Sequence, residues 1–242
     1  NITIKKTSDN STIEAIAVTD SKITGTGTNV ITINPTANLA SSTEFYVLVD
    51  GAAFDDTSSN SYAGISSTTA LSFTTSDTVS PTLASSSPAD GSTGIAVSSN
   101  IILNFSEAVD VETGNIVIKR TSNDATVETI THNGGLITGT GTTQITINPA
   151  AALAELTSFY LIIDAALFDD PSSNDYAGIS AKTTLDFTTS DASNPTLTSS
   201  VPSDNSVNIA ANANIVLTFN ENVDAESGNI SIKKTSDNST FE

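Results

Sequence analysis

A sequence repeat with a constant step of 114 residues limits the architectures open to this chain. The hexapeptide NIVIKR at residues 115–120 has near-copies at residues 1–6 (NITIKK) and 229–234 (NISIKK). The segment ITINP, at residues 31–35 and 145–149, keeps the same step, and no insertion or deletion interrupts it. A fixed step of this length predicts repeated modules, each the size of an ordinary domain with its own core.

The 242 residues hold one whole repeat between two partial ones. We predict three domains: residues 1–77 are the later part of a repeat, residues 78–191 are a complete repeat, and residues 192–242 open a third. Two explanations of the partial repeats stay open. The chain is either a window of a longer tandem array or a subunit whose opening fragment completes the next subunit by strand donation, which propagates into a filament.

The charge and composition of the chain exclude several classes of partner. With 27 acidic and 8 basic side chains the formal net charge is −19, so nucleic acids and anionic membranes would be repelled. No apolar run approaches the length of a membrane span, so we expect no membrane insertion. Cysteine is absent, so no disulfide holds the modules together. An acidic repeat rich in threonine and serine favours an extracellular setting with cations as partners.

Short apolar alternations separated by turn residues predict an all-β module without helices. Ile101, Leu103 and Phe105 share one face of a strand, and residues 106–114 are expected to form a loop. Residues 158–164 are apolar on both faces, which predicts a central strand. Seven strands in about 110 residues are typical of an immunoglobulin-like β-sandwich. The seven lie near residues 82–86, 101–105, 116–118, 126–131, 144–148, 158–164 and 183–189.

The order of motifs in the complete repeat resembles a known family. The repeat contains PTL at 81–83, SPADGSTGI at 87–95, NIILNFSEAVD at 100–110, FYLIID at 159–164, FDD at 168–170 and LDFTT at 185–189. In this combination they resemble the bacterial Ig-like domain of S-layer proteins and large cell-surface adhesins. The resemblance implies repeated extracellular spacer modules, usually without catalysis and often stiffened by calcium. Ser173-Asn174-Asp175 departs from the Gly-Asn pair that the family often has there.

Acidic side chains concentrate where consecutive sandwiches are expected to meet. In an immunoglobulin-like sandwich, the end at which the first strand begins also carries the loop after the second strand and the loop before the last one. Carboxylates at such a junction suit calcium, which takes six to eight oxygen ligands, better than magnesium with its stricter geometry. The candidate calcium ligands are Asp77, Glu107, Asp110, Asp169, Asp170 and Asp175, with Asp55, Asp56, Asp191, Glu221 and Asp224 as their equivalents in the other copies.

These acidic residues allow two interpretations other than calcium binding. The acidic loops can simply be solvated and keep the protein in solution, and no EF-hand pattern is present. Catalysis is not expected, because Asp169 and Asp170 are adjacent in one loop and cannot face each other across a substrate. His132 is the only histidine, so no repeated catalytic triad can form.

We therefore predict a non-enzymatic protein whose repeats form a stalk or filament shaft on a bacterial cell surface. Its partners are neighbouring repeats of the same chain or identical subunits. A glycan-binding adhesive module is the alternative, and it would require end loops that differ between copies. The loops DDTSSN at residues 55–60 and DDPSSN at residues 169–174 nearly coincide, which favours a spacer.

Overall fold

The computed structural model describes residues 1–241, and every regular element in that range is a β-strand. Within the same range no helix could serve as a membrane span. The chain forms two compact units, one of residues 1–190 and one that begins at Asp191. The first unit contains the partial repeat of residues 1–77, here named the closing fragment, together with the complete repeat.

The closing fragment is built mainly on one antiparallel sheet. Its strands are β1 (Ile2–Lys6), β2 (Thr12–Ile16), β3 (Ile23–Thr24), β4 (Thr32–Ile33), β5 (Glu44–Val49) and β6 (Ser72–Thr74). Four strands pair in the order β2-β1-β5-β6, and β3 pairs only with β4. Ile2, Ile4, Phe45 and Val47 alternate toward a small core on one face of the sheet.

Two five-stranded sheets form the complete repeat. Its strands are β7 (Leu83–Ser87), β8 (Ser92–Ile95), β9 (Ile101–Val111), β10 (Asn115–Arg120), β11 (Thr126–Thr131), β12 (Ile137–Thr138), β13 (Thr142–Ile147), β14 (Ser158–Ile163), β15 (Phe168–Asp169) and β16 (Asp186–Thr189). One sheet has the order β11-β10-β14-β16-β8, and the other has the order β12-β13-β9-β15 with β7 also paired to β9. The predicted all-β immunoglobulin-like sandwich is confirmed.

The core of the complete repeat lies between its two sheets. Leu103 and Ile145 point into it from one sheet, and Ile118 and Leu161 point into it from the other. Strand β14 pairs with both β10 and β16, and its residues Phe159, Tyr160 and Leu161 are all buried. It is therefore the central strand that its two apolar faces predicted.

The prediction of seven strands was too low, because the complete repeat has ten. The missed strands β8, β12 and β15 have four residues or fewer, which is too short for an alternation to be visible in the sequence. Two of them form by pairing with distant segments, since β8 pairs in parallel with β16 and β15 pairs with β9, whereas β12 pairs with the next strand, β13. Strand β16 also begins at Asp186, three residues later than predicted.

The prediction of a loop at residues 106–114 was wrong, because β9 continues to Val111. Val109 is buried and pairs with Thr142, and Val111 pairs with Phe168. The pairing with β13 shifts register between Asn104 and Val109, so the strand is irregular in its middle. The charged residues in this segment interrupt the apolar alternation, so the sequence did not indicate the strand. Pairing with β13 and β15 forms it.

The second unit contains the opening of the third repeat and has little regular structure. Its strands β17 (Leu197–Val201) and β18 (Val216–Phe219) form a two-stranded antiparallel sheet. Residues 195–241 are named the opening fragment below. Ile215, Leu217 and Val223 of this fragment are exposed.

Candidate metal centre

Asp77 lies in the linker between β6 and β7, and hydrogen bonds attach it to the closing fragment. Its Oδ1 accepts from Val79 N at 3.0 Å and from Ser41 Oγ at 2.9 Å. Ser41 Oγ accepts in turn from Thr78 N at 2.9 Å. The backbone donor of Val79, followed by the Ser41 hydroxyl, lowers the pKa of Asp77, so this carboxylate is charged at neutral pH.

Glu107 lies on β9, in the segment where the pairing of this strand is irregular. It shares the odd-numbered register of Phe105 and Val109, both of which are buried, and it is itself partly buried. Burial raises the pKa of Glu107, and the negative charges of Asp77 and Asp170 raise it further. The fold therefore holds a carboxylate in surroundings that disfavour its charge.

Asp170 follows β15 directly and is only 2% exposed. Its Oδ1 accepts from Ser172 N at 2.8 Å and from Asn174 N at 2.9 Å, and its Oδ2 accepts from Asn174 Nδ2 at 2.8 Å. Burial by itself would raise the pKa of Asp170, but the hydrogen bonds from Asn174 and Ser172 outweigh it, so the pKa is lowered. The loop thus stabilises a buried, charged carboxylate.

Asp77, Glu107 and Asp170 converge where the closing fragment meets the complete repeat. One carboxylate oxygen of each lies within 4.8 Å of the other two. Elsewhere among residues 1–241, no three acidic or histidine side chains come this close together. None of the ion pairs in that range involves these three residues. Three carboxylates therefore share a small volume without a neutralising side chain.

The chemistry of this carboxylate cluster suits a hard cation. Calcium binds oxygen ligands at 2.3–2.6 Å, so ligand atoms of one calcium ion lie no more than about 5 Å apart. The upper bound of 4.8 Å on the separations in the cluster is compatible with a shared ion. Such an ion would offset the mutual repulsion that raises the pKa of Glu107. Water or carbonyl oxygens would complete its coordination.

The other predicted ligands of the complete repeat lie apart from this cluster. Asp169 pairs with Asp110 across β15 and β9, and it forms an isolated bridge with Asp175. Burial raises the pKa of Asp169, and the charges of Glu112, Asp110 and Asp175 add to the rise. Asp110 is also held by Thr140, whose Oγ1 donates to Asp110 Oδ1 at 3.0 Å. These residues form a second acidic patch that is looser than the cluster.

The predicted ligands in the other two copies do not assemble into a cluster of three among the described residues. Asp56 makes the same three hydrogen bonds to Ser58 and Asn60 that Asp170 makes, but it is exposed, as is its neighbour Asp55. Asp191 and Asp224 are exposed, and Glu221 is partly buried. The Oε1 atom of Glu221 is buried and has no hydrogen-bond partner in the described part of the chain.

Two residues that support the cluster were not singled out from the sequence. Asn174 fixes Asp170 through two hydrogen bonds, and the repeated spacing Asp170-x-Ser172-x-Asn174 and Asp56-x-Ser58-x-Asn60 could have revealed this turn. Ser41 fixes Asp77, but its equivalent in the next copy is Glu155. No repeated signal therefore pointed to Ser41.

A comparison with protein families identifies this architecture. The model of the bacterial Ig-like domain matches residues 77–189 and 191–241, which together make up more than half of the chain. The chain belongs to the bacterial Ig-like domain family. Domains of this family are typically non-enzymatic. The family match covers Glu107 and Asp170, and it begins at Asp77.

Among solved structures, the chain has distant similarity to two proteins. CopC from Methylosinus trichosporium OB3b has 16% identity and a TM-score of 0.34, with 47% of this chain and 97% of CopC covered. The S-layer protein rSbsC(31-844) has 12% identity and a TM-score of 0.33, with 67% of this chain and 22% of that protein covered. Likenesses this weak carry no argument about function. A comparison with curated proteins found no match.

Proposed function

We propose that this chain is a structural extender of a bacterial surface protein, built from Ig-like repeats in series and stiffened by calcium at the junction between repeats. Membership in the bacterial Ig-like domain family supports the structural role. The observation that carries the calcium proposal is the convergence of Asp77, Glu107 and Asp170. In this role the modules set the length of the protein, and the ion sets how freely consecutive modules bend.

The junction has the features that this mechanism requires. Only eight residues separate the end of β6 from the start of β7. Asp77 belongs to that linker and is attached to Ser41 of the closing fragment, whereas Glu107 and Asp170 belong to the complete repeat. An ion bound to all three residues would therefore connect two modules. Without it, repulsion among the carboxylates opposes a close junction.

Calcium fits the junction better than magnesium. Magnesium demands a near-ideal octahedron at 2.0–2.1 Å and gives up its water reluctantly, whereas calcium accepts variable geometry. The carboxylates of Asp77 and Asp170 already carry hydrogen bonds from the protein, which restricts how far they can move toward a small ion.

Calorimetric titration of the full chain with calcium tests the proposal. We expect binding with a dissociation constant of about 10⁻⁴ to 10⁻³ M, the range of extracellular calcium modules. Asp77→Asn removes one charged ligand and keeps Oδ1 as a hydrogen-bond acceptor, so the number of calcium ions bound per chain should fall by one. The matched control Asp9→Asn changes an exposed carboxylate that belongs to no candidate site and keeps the Oδ1 acceptor for Ser11 N, so it should leave that number unchanged. Absence of calcium binding, or equal stoichiometry in all three proteins, would contradict the proposal.

A further inference from the structure

A cavity of about 400 Å³ lies at the end of the complete repeat where β10 ends and β14 begins. Two short segments line it, the turn of residues 120–122 and the loop of residues 156–158. Its volume is within the range of small-molecule sites, which is about 300–1,000 Å³. The carboxylate cluster lies toward the other end of the module, where β9 pairs with β15. The cavity is therefore separate from the candidate metal centre.

Hydrogen bonds hold both walls of this cavity in place. Thr121 N donates to Ser158 O at 2.9 Å, which joins the turn after β10 to the start of β14. Thr189 is only 2% exposed, and its Oγ1 donates to Ala154 O at 2.6 Å and accepts from Thr157 N at 3.1 Å. Because the walls are fixed in the folded protein, a ligand would not have to order them on binding.

The three basic residues of the complete repeat lie around the turn that follows β10. Lys119 and Arg120 end the strand. Lys182 Nζ lies 3.4 Å from Asp124 Oδ1, and Asp124 N donates to Arg120 O at 3.0 Å. Arg120 makes no ion pair among the residues that the structure describes. Its planar guanidinium is therefore available to an anion, and it matches a carboxylate or a phosphate through two parallel hydrogen bonds.

Leu156 forms the apolar part of the cavity wall. It is 68% exposed, and its φ of 49° is a left-handed conformation that is costly for a bulky side chain. The equivalent residue of the closing fragment, Ser42, has nearly the same φ of 44°. The fold therefore requires this backbone conformation but not a leucine, since the leucine side chain buries little surface. A leucine at this position offers an apolar contact to a ligand.

The hydroxyl groups of Thr121 and Ser122 add polar groups to the wall. Thr121 Oγ1 is buried and has no hydrogen-bond partner in the described part of the chain. Buried polar atoms without a partner are rare in native folds, because each costs free energy. The equivalent residue Thr7 is exposed, so water can reach it. A ligand hydroxyl at this wall would give Thr121 the partner that it lacks.

The residues of the cavity differ between copies of the repeat. The closing fragment has Lys6 for Arg120, Ser42 for Leu156 and Glu44 for Ser158, and the opening fragment has Lys234 for Arg120. The carboxylate of Glu44 would repel an anion, so the anion site belongs to the complete repeat. Ser42 and Glu44 are exposed although the complete repeat follows them in the same compact unit. A following module therefore leaves this end of a sandwich open.

We propose that this cavity binds a sugar that carries one anionic group, either a carboxylate or a phosphate. Arg120 binds the anionic group, Thr121 and Ser122 bind hydroxyl groups of the sugar, and Leu156 packs against the C–H face of its ring. One negative charge per sugar keeps repulsion from a chain of net charge −19 small. The site adds recognition of an acidic glycan by one module to the structural role, and it does not depend on calcium.

Amide NMR titration of the isotope-labelled full chain tests the proposal, with EDTA present so that calcium does not contribute. Glucuronate or glucose 6-phosphate should shift the amide signals of residues 120–122 and 156–158. Glucose lacks the charge and acetate lacks the sugar, so each should bind about tenfold more weakly or less. Shifts confined to other residues, no shifts with either anionic sugar, or equal affinity for glucose or acetate would overturn the proposal.

Two variants test the role of charge in the cavity. Arg120→Gln removes the cation, and Ser158→Glu introduces the acidic residue of the closing fragment, so each should weaken binding of the anionic sugar about tenfold or more. Both residues are exposed, so the melting temperature should not change. The control Lys6→Gln removes the equivalent cation of the closing fragment and should bind normally. Full affinity in Arg120→Gln, or an equal loss in Lys6→Gln, contradicts the proposed site.

Discussion

Glu107 is a charged residue at a position of β9 where the neighbouring odd-numbered residues are buried. Phe105 and Val109 pack in the core, and Glu107 meets Asp77 and Asp170 instead of apolar side chains. Its raised pKa means that the folded state binds a proton at Glu107 more tightly than the unfolded state does. Without a cation, its contribution to stability therefore falls as pH rises above the ordinary value of 4.5.

The substitution Glu107→Gln should have opposite effects with and without calcium. In EDTA at pH 7 the variant should melt at a higher temperature than the wild type, because one of three repelling charges is gone. In millimolar calcium it should melt at a lower temperature, because a ligand is gone. Thermal unfolding followed by circular dichroism between pH 4 and pH 8 measures both differences. The same order of melting temperatures in both buffers would exclude a cation at the cluster.

The loop after β15 contains a hydrogen-bonded turn whose contribution to stability should depend on its burial. Residues 170–174 and 56–60 make the same hydrogen bonds from Ser and Asn to Asp, but Asp170 is buried and Asp56 is exposed. Removing the acceptor leaves unpaired donors in both loops. Water can replace the lost acceptor in the exposed loop, but it cannot do so in the buried loop.

We expect Asp170→Ala to lower the free energy of unfolding by about 1–3 kcal/mol and Asp56→Ala to lower it by less than about 1 kcal/mol. Urea denaturation in EDTA measures both without interference from calcium. Asp170→Asn keeps the Oδ1 acceptor and should cost less than Asp170→Ala. Equal losses from the two alanine variants would show that burial does not set the strength of this turn.

At the scale of the whole molecule, the proposed calcium site lies at the junction between the closing fragment and the complete repeat. The linker is short, and Asp77 is fixed to one module while its cluster partners belong to the other. Calcium should convert a joint with some freedom into one with a narrow range of angles.

Spin-label distance measurements can detect this change directly, because the chain contains no cysteine of its own. Ser8→Cys and Ser122→Cys place labels at equivalent exposed turns of the two modules. The distance distribution should narrow on addition of calcium, and Asp77→Asn should abolish the narrowing. Dilution with unlabelled chain removes any contribution from distances between separate chains. If calcium does not change the width of the distance distribution, the ion does not restrict the range of angles at the junction.

The repeat and the apolar alternations determined the type of module. The step of 114 residues identified equivalent positions, and the two apolar faces of residues 158–163 identified the central strand β14. Both are visible in the sequence itself: the repeat by direct comparison of its copies, and the strand because the period of apolar side chains reflects which faces are buried. Short strands such as β15 were not visible, because they exist only through pairing with β9.

The tertiary structure decided which acidic residues form a cluster and which apolar residues are covered. Strand register puts Asp110 opposite Asp169, whereas the irregular segment of β9 turns Glu107 toward Asp77 and Asp170. Phe105 and Glu107 lie two residues apart on β9, but Phe105 packs against Phe168 and Tyr176, whereas Glu107 meets two carboxylates. Burial depends on partners distant in the chain, and a local pattern cannot contain that information.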